Sequence, residues 1–377
     1  MKKILYIILD GLGDRPHPDL DGKTPLEAAD IPNIDSLAKR GKMGLVHTVK
    51  EGVAPESDVA VMSLLGYDAE KYYPGRGPLE TQGAGMEMST GDLALRGNFA
   101  TGTSEDIIIN RRVARSLETS EGEELARAVN ESVELVSDRS TFKLVSTIGY
   151  RNVLVIKRSS GNLSGNISNT DPAYDRISTY SIAKEEFEMK VRESRPLEEN
   201  EEARIAAELV NEFTEKSKKI LSTHPINIRR TREGKLPANL ILLRDAGSQK
   251  PLLPKITDLY GVEFGCLVEL PVEKGIAELS GMEVFSIPLV ENTLSEHYKN
   301  MAQTTVSTLK RKEGVYVHIK GPDEPGHDGL AKKKQKIIED IDKYFFSNIL
   351  GDLDLNEVVV AITSDHSTPC ILKAHSS

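Results

Sequence analysis

Apolar positions along the chain fall into short unbroken runs separated by turns rich in glycine and carboxylates. The run Ile4-Leu5-Tyr6-Ile7-Ile8-Leu9 is β-prone throughout, as expected of a strand covered on both faces of a parallel sheet. It stops at Asp10-Gly11-Leu12-Gly13-Asp14. Asp10 therefore lies at a strand's carboxyl end, the edge at which open α/β sheets bind ligands. Two short helices are predicted next, Thr24 to Ala29 and Ile31 to Gly41, with Gly41 closing the second. A strand from Met43 to Val49 follows. The loop beginning at Glu51 ends at Ser57, after which a helix-compatible apolar run continues to Gly66. Ser57 reads either as an N-cap serine or as a nucleophile activated by a metal ion, with the helix N-terminus favouring its alkoxide or a phosphate bound to it.

From about residue 79 to residue 250 the texture changes. Short β-like runs (Leu93 to Leu95, Ile107 to Ile109, Asn152 to Ile156) alternate with polar turns. Two charged helices are predicted, Gly122 to Glu131 and Glu199 to Lys219, the second with Ile205, Leu209, Val210 and Phe213 on one face. This pattern describes a smaller α+β domain, residues 79–251, inserted into a mostly parallel-sheet α/β domain of residues 1–78 and 252–377. The α/β pattern then returns, with strands at Val262 to Leu270 and Met282 to Ile287 and a helix at Asn292 to Lys310. A further strand, Gly314 to Lys320, runs into Gly321-Pro322-Asp323-Glu324-Pro325-Gly326-His327. Asp323 and His327, four apart with Pro and Gly between, suit a loop that bends two ligands onto one ion. A helix from Lys332 to Leu350 has Ile337, Ile338, Ile341, Phe345 and Ile349 inside and Lys332, Lys333 and Lys334 in solvent. Val358 to Ile362 reads as a buried strand, so Asp365 and His366 sit where it leaves the sheet, with His375 just beyond.

Composition narrows the function. A chain of 377 residues fits two domains. Its formal charge of −10 argues against nucleic acid as the main partner. No run approaches the length of a membrane span, and Asp10 ends the first apolar stretch too soon for a signal segment, so a cytoplasmic protein is expected. Cys266 and Cys370 make no disulfide framework. An anionic substrate then requires a local positive patch. The insert supplies candidates in Arg96, Arg111, Arg112, Arg115, Arg151, Arg229, Arg230, Arg232 and Arg244, about half of which are expected to touch a ligand, since surface charge is the default.

Three apolar strands far apart in sequence end in carboxylates: Asp10, Asp323 and Asp365. If the strands are parallel, their carboxyl ends share one edge, and Asp10, Asp323, His327, Asp365, His366 and His375 converge with Ser57. So many oxygen and nitrogen donors exceed one tetrahedral ion and suit two. A pair of divalent ions roughly 3.5–4 Å apart stabilises the attacking and leaving oxygens of phosphoryl transfer.

These motifs resemble the metal and nucleophile motifs of the alkaline phosphatase superfamily. Thr24-Pro25-Leu26-Glu27-Ala28-Ala29, Arg96-Gly97-Asn98-Phe99-Ala100-Thr101, Thr170-Asp171-Pro172 and Pro322 through Gly329 resemble, more narrowly, the archaeal type of 2,3-bisphosphoglycerate-independent phosphoglycerate mutase. The resemblance implies an alkaline-phosphatase-like fold for the larger domain and interconversion of 3-phosphoglycerate and 2-phosphoglycerate through phosphoserine at Ser57. It assigns one ion to Asp323, His327 and His375, the other to Asp10, Ser57, Asp365 and His366. Manganese or magnesium suits the oxygen donors, while the imidazoles leave room for zinc or cobalt. The substrate-binding candidates are Arg244, Arg111, Arg151, Arg96 and Lys299. Two alternatives stay open: a metal-dependent phosphatase or phosphonate hydrolase with the same ligands, and a non-catalytic metal-stabilised binding protein.

Overall fold

Lys3–Leu9 forms β1, and a sheet is built around it. The computed structural model describes residues 2–177, 180–184, 186–287 and 293–376. Contacts divide the chain into two units, Met1–Tyr72 with Leu253–Glu269 and Ile276–Ser377, and Tyr73–Leu252 with Leu270–Gly275.

In the first unit, β1 is joined by β2 (Phe264–Leu267), β3 (Glu283–Val284), β4 (Gly314–Ile319) and β5 (Val358–Thr363). The order is β3-β2-β4-β1-β5, and every pairing is parallel. Alternate residues of β1 and β4, namely Leu5, Ile7, Leu9, Val315, Val317 and Ile319, share a core with Met301, Phe345 and Ile349. Each such side chain contributes about 1.5–3 kcal/mol on burial. Three helices flank the sheet's carboxyl edge or cover its face: α1 (Ser57–Leu64), α2 (Leu294–Arg311) and α3 (Asp323–Asp328). Residue Asn292, expected in α2, lies outside the described residues. Among the described residues no helix is long and apolar enough to cross a membrane.

Several expectations change. Met43 to Val49 forms no strand, and Met43, Leu45 and Val46 are exposed; strand propensity without a paired edge makes no ladder. β5 is an edge strand rather than a buried one, with Val359 half exposed. Asp323 and His327 sit not on a loop but on α3, where a spacing of four puts both side chains on one face. The strands expected at Val262 to Leu270 and Met282 to Ile287 shorten to β2 and β3.

The long helix expected from Lys332 is interrupted. It runs as α4 (Ala331–Ile341), widens into a π turn at Asp342–Phe346, and resumes at Ser347–Asp352. The π turn has a partner: the buried Asp342 carboxylate accepts the N–H groups of Asn33 and Ile34, in the first turn of the helix Pro32–Arg40. Lys334 is not in solvent but fully buried. Its ammonium donates to Gly13 O at 3.0 Å, Thr368 O at 2.9 Å and Asp14 Oδ2 at 2.9 Å. Asp14 Oδ1 in turn accepts Cys370 N–H at 3.0 Å. All three ammonium donors are thus used to clamp the turn after β1 to the loop after β5. Lys334→Met leaves Asp14 buried without its cation and is expected to cost about 3–5 kcal/mol. Urea unfolding of the two proteins measures this, and a loss below about 1 kcal/mol contradicts the clamp.

The second unit holds an antiparallel sheet. Its central strand, Leu93–Gly102, lies between Arg151–Lys157 and Leu240–Gly247. Register sets Arg96 opposite Arg244 and Asn98 opposite Arg151. Helices Thr119–Ser132 and Glu201–Ser222 contribute Leu125, Val129, Leu209 and Phe213 to the core of this unit.

Candidate active site

Register explains why distant residues meet in the first unit. Leu9 pairs with Ile319, and Ile8 with Thr363, so the three strands end nearly level. Asp10, Lys320 and Ser364-Asp365 leave them at one edge. Gly11 allows the crowding there. Its φ is +61°, and a Cβ on it would lie 2.8 Å from Asp323 Cα and 2.7 Å from Thr368 Oγ1, so a larger residue at this turn would push Asp323 away.

Four imidazoles reach this edge, and each is held by Nδ1. His375 Nδ1 donates to Pro55 O at 2.9 Å, and His327 Nδ1 to Lys373 O at 3.1 Å. Carbonyl oxygens only accept, which fixes the proton. The Thr368 hydroxyl donates to Asp323 Oδ1 at 2.7 Å, so Thr368 Oγ1 must accept from His366 Nδ1 at 3.0 Å. For His318, the Lys320 ammonium, a donor only, lies 3.3 Å from Nε2. The ring proton of His318 is therefore on Nδ1, 2.9 Å from Tyr316 OH. All four histidines turn Nε2 toward the carboxylates, the arrangement in which an outer hydrogen bond orients a metal-ligating imidazole.

The inward atoms form overlapping ligand sets. His327 and His375 Nε2 are 3.2 Å apart, and lie 3.5 and 3.6 Å from Asp323 Oδ1. His366 Nε2 is 3.4 Å from Asp10 Oδ1, 3.3 Å from Asp365 Oδ2 and 3.1 Å from Ser57 Oγ. The groups Asp323, His327 and His375, then Asp10, Asp323 and His366, and then Asp10, His318 and Asp365, each have donor atoms within 4.8 Å of one another. Asp10 Oδ1 and Asp365 Oδ2 are buried without a hydrogen-bond partner. Buried carboxylate oxygens left so are costly unless a cation meets them. The donor set therefore fits metal ions.

The electrostatics point the same way. Burial raises the Asp323 carboxyl, but His375, His366 and His327 outweigh it and hold it well below the usual range. Burial likewise raises Asp10, and Lys320 with His318 and His366 brings it below the ordinary value. Burial and the neighbouring Asp10 push Asp365 well above it. Burial lowers His366 to about 4, leaving it neutral and fit to ligate. Burial lowers His375 too, yet Asp323, Glu56 and the Pro55 carbonyl push it up to about 10, so the pocket at its Nε2 draws positive charge.

Ser57 is not a cap. Glu56 holds the N-cap position and Ser57 is the first residue of α1, its hydroxyl directed at His366 Nε2 rather than at a backbone amide. Lys299 has no part in this cluster's hydrogen bonds; its exposed ammonium lies 5.4 Å from the Tyr344 ring.

The second unit carries its own charged cluster. Glu80 Oε1 is 2.8 Å from Arg76 Nε and 3.6 Å from Arg96 Nε, both arginines being buried. Burial, then Arg244 and Arg76, lowers Arg96 to about 10. Arg244 stacks on Tyr174 at 3.7 Å and pairs with Asp245 at 2.9 Å. Arg151 lies over Tyr150, and its Nε and that of Arg96 are buried without acceptors. Arg76, Arg96, Arg151 and Arg244 outnumber Glu80 and Asp245 in this cluster, an excess of positive charge of the kind an acidic chain needs for an anionic ligand. Arg111 is engaged differently, in a two-bond fork to Asp171 at 2.8 and 2.7 Å. Arg229 and Arg230 are structural, both held by Glu121.

Sequence reasoning missed His318 and Arg76. Period two along β4 places Tyr316, His318 and Lys320 on the face opposite Val315, Val317 and Ile319, and a spacing of four links Arg76 to Glu80.

Comparison with known proteins adds identity. Residues 38–227 match the family described as 2,3-bisphosphoglycerate-independent phosphoglycerate mutase. A protein of that name from Aeropyrum pernix is 47% identical over 99% of this chain and 88% of its own length. Another of that name, from Methanopyrus kandleri, is 38% identical over 100% of this chain and 86% of its own. Among solved structures, a Pyrococcus horikoshii protein aligns with a TM-score of 0.75 at 32% identity, covering 100% of this chain and 85% of that one. The cofactor-independent phosphoglycerate mutase of Thermoplasma acidophilum aligns with a TM-score of 0.55 at 34% identity, covering 96% and 86%.

Proposed function

The chain belongs to the 2,3-bisphosphoglycerate-independent phosphoglycerate mutase family, and on that premise we propose that it interconverts 3-phosphoglycerate and 2-phosphoglycerate through phosphoserine at Ser57, beside two divalent ions. Asp323, His327 and His375 hold one ion; Asp10, Ser57, Asp365 and His366 hold the other. Manganese or magnesium is the expected metal, with zinc or cobalt tolerated by the imidazoles. When bound, the ions supply positive charge to the attacking and leaving oxygens. Everything else is done by the chain and its substrate.

Ser57 Oγ attacks phosphorus as the bond to the 3-oxygen of glycerate breaks, and the proton that the serine gives up passes to that oxygen. The glycerate turns, its 2-hydroxyl attacks the phosphoserine, and the proton it gives up returns to Ser57, so no phosphate or water is consumed. The N-terminus of α1 favours the phosphoserine dianion. Anion recognition falls to Arg96, Arg151 and Arg244, whose forked donors match carboxylate and phosphate oxygens, with Arg111 and Lys299 as the further candidates. The observation that carries this reading is Ser57 Oγ 3.1 Å from His366 Nε2, which itself lies 3.4 Å and 3.3 Å from Asp10 Oδ1 and Asp365 Oδ2, two buried oxygens without a hydrogen-bond partner.

Incubation with 3-phosphoglycerate and manganese, without bisphosphoglycerate, tests it. The expected main product is 2-phosphoglycerate. Free phosphate as the main product assigns the site instead to a phosphatase.

A further inference from the structure

Lys320 stands in an unusual place. It follows β4 directly, and its ammonium lies 2.9 Å from Asp10 Oδ2 and 3.3 Å from His318 Nε2. Both partners belong to the most deeply buried ligand set, Asp10, His318 and Asp365. His318 and Asp365 are fully buried, and Asp365 Oδ2, 3.7 Å from His318 Nε2, has no hydrogen-bond partner. A cation is thus already inside the ligand cluster, and it is supplied by the chain.

We propose that Lys320 is an internal counter-cation: its ammonium holds the place between Asp10 and His318 that a divalent ion competes for, so that loading the Asp10 ion exchanges a tethered cation for a free one. The inference rests on the two-ion reading above. Three features carry it. Asp10 and Asp365 lie in one buried ligand set, and an ammonium 2.9 Å from Asp10 Oδ2 offsets part of the cost of burying that charge. The His318 tautomer presents a lone pair to a cation, and only the ammonium now meets it. The Lys320 side chain remains about one-fifth exposed, and its flexible stem allows the charge to leave toward solvent when an ion arrives.

The ammonium's partners Asp10 and His318 belong to the Asp10 ligand set and not to the set Asp323, His327 and His375, so the competition is expected at the Asp10 ion. The two ions should therefore differ in affinity, the one at Asp10 being weaker. His318 acts as a positioning residue, its ring fixed by Tyr316 so that Nε2 can serve either cation.

The test is a manganese titration of chelator-stripped protein by calorimetry, comparing the unmodified chain with Lys320→Met and, as a milder change that keeps a donor, Lys320→Gln. Removing the competitor should tighten the weaker manganese site at least about tenfold, in the range of ordinary coupling between sites. The tighter site should hold its affinity within about twofold. The metal-free variants should also melt below the unmodified metal-free protein and regain the difference in manganese. If the unmodified chain binds two manganese ions and both variants bind the weaker one no better, the exchange is wrong while the two-ion reading stands. If the unmodified chain binds no manganese at all, both fall.

Discussion

Ser57→Ala is expected to lower turnover by on the order of 10⁴- to 10⁶-fold, the range seen when a covalent nucleophile is removed. On the proposed mechanism the phosphoryl group passes through the Ser57 hydroxyl, so the residual rate should be close to background. Stability should hardly move. Ser57 does not cap α1, and its hydroxyl makes one hydrogen bond, to His366 at 3.1 Å, so the cost should be about 1 kcal/mol or less. Steady-state rates beside thermal unfolding separate the two effects. Turnover above a hundredth of the original, in a folded variant, would return Ser57 to the role of an ordinary helix residue.

Exhaustive chelation is the second large effect. Turnover should fall below detection and return on adding manganese. It should also cost stability, because an ion that binds only the folded chain contributes RT ln(1 + [L]/Kd), about 2.7 kcal/mol per ion at a hundred times Kd. The physical origin is local. Asp10, Asp323 and Asp365 converge at one buried edge, and among the described residues Lys320 and the histidines are the cationic groups that offset their charge. A rate unchanged by chelation contradicts metal chemistry at this site.

Much of this arrangement was legible before any coordinates. Uninterrupted apolar runs ending in carboxylates describe parallel strands whose carboxyl ends share an edge, and Asp10, Asp323 and Asp365 lie there for that reason. Less legible was whatever depends on neighbours. A run such as Val358 to Thr363 has the composition of a central strand, yet β5 is an edge, since composition does not say which strands lie beside it. Met43 to Val49 has strand propensity and no partner among the described residues. Lys334 looked like one of three solvated lysines, although it stands three, four and seven residues before Ile337, Ile338 and Ile341, on the inward face of α4. Its burial follows from that spacing once Asp14 is there to receive it. His318 was hidden inside an apolar run, where only the alternation of β4 marks it as facing away from the core.

Asp365, His366 and His375 lie in the segment that follows β5. Lys334, through Thr368 O, and Asp14, through Cys370 N, hold this segment, and Pro55 O, just before Ser57, holds the His375 ring. The loop that precedes Ser57 and the loop that carries His375 are thereby joined. Geometry at His375 is set by that bond and by the next residue, Ser376, whose N–H donates to Ser367 O at 3.0 Å.

The central claim is that the phosphoryl group rests on Ser57. Rapid quenching of the manganese-loaded enzyme during turnover of 3-phosphoglycerate, followed by peptide mass spectrometry, tests it most directly. The peptide containing Ser57 should carry one phosphoryl group, and only while substrate is present. An unmodified Ser57 peptide, sampled while 2-phosphoglycerate accumulates and under conditions that preserve phosphoserine, would contradict the mechanism.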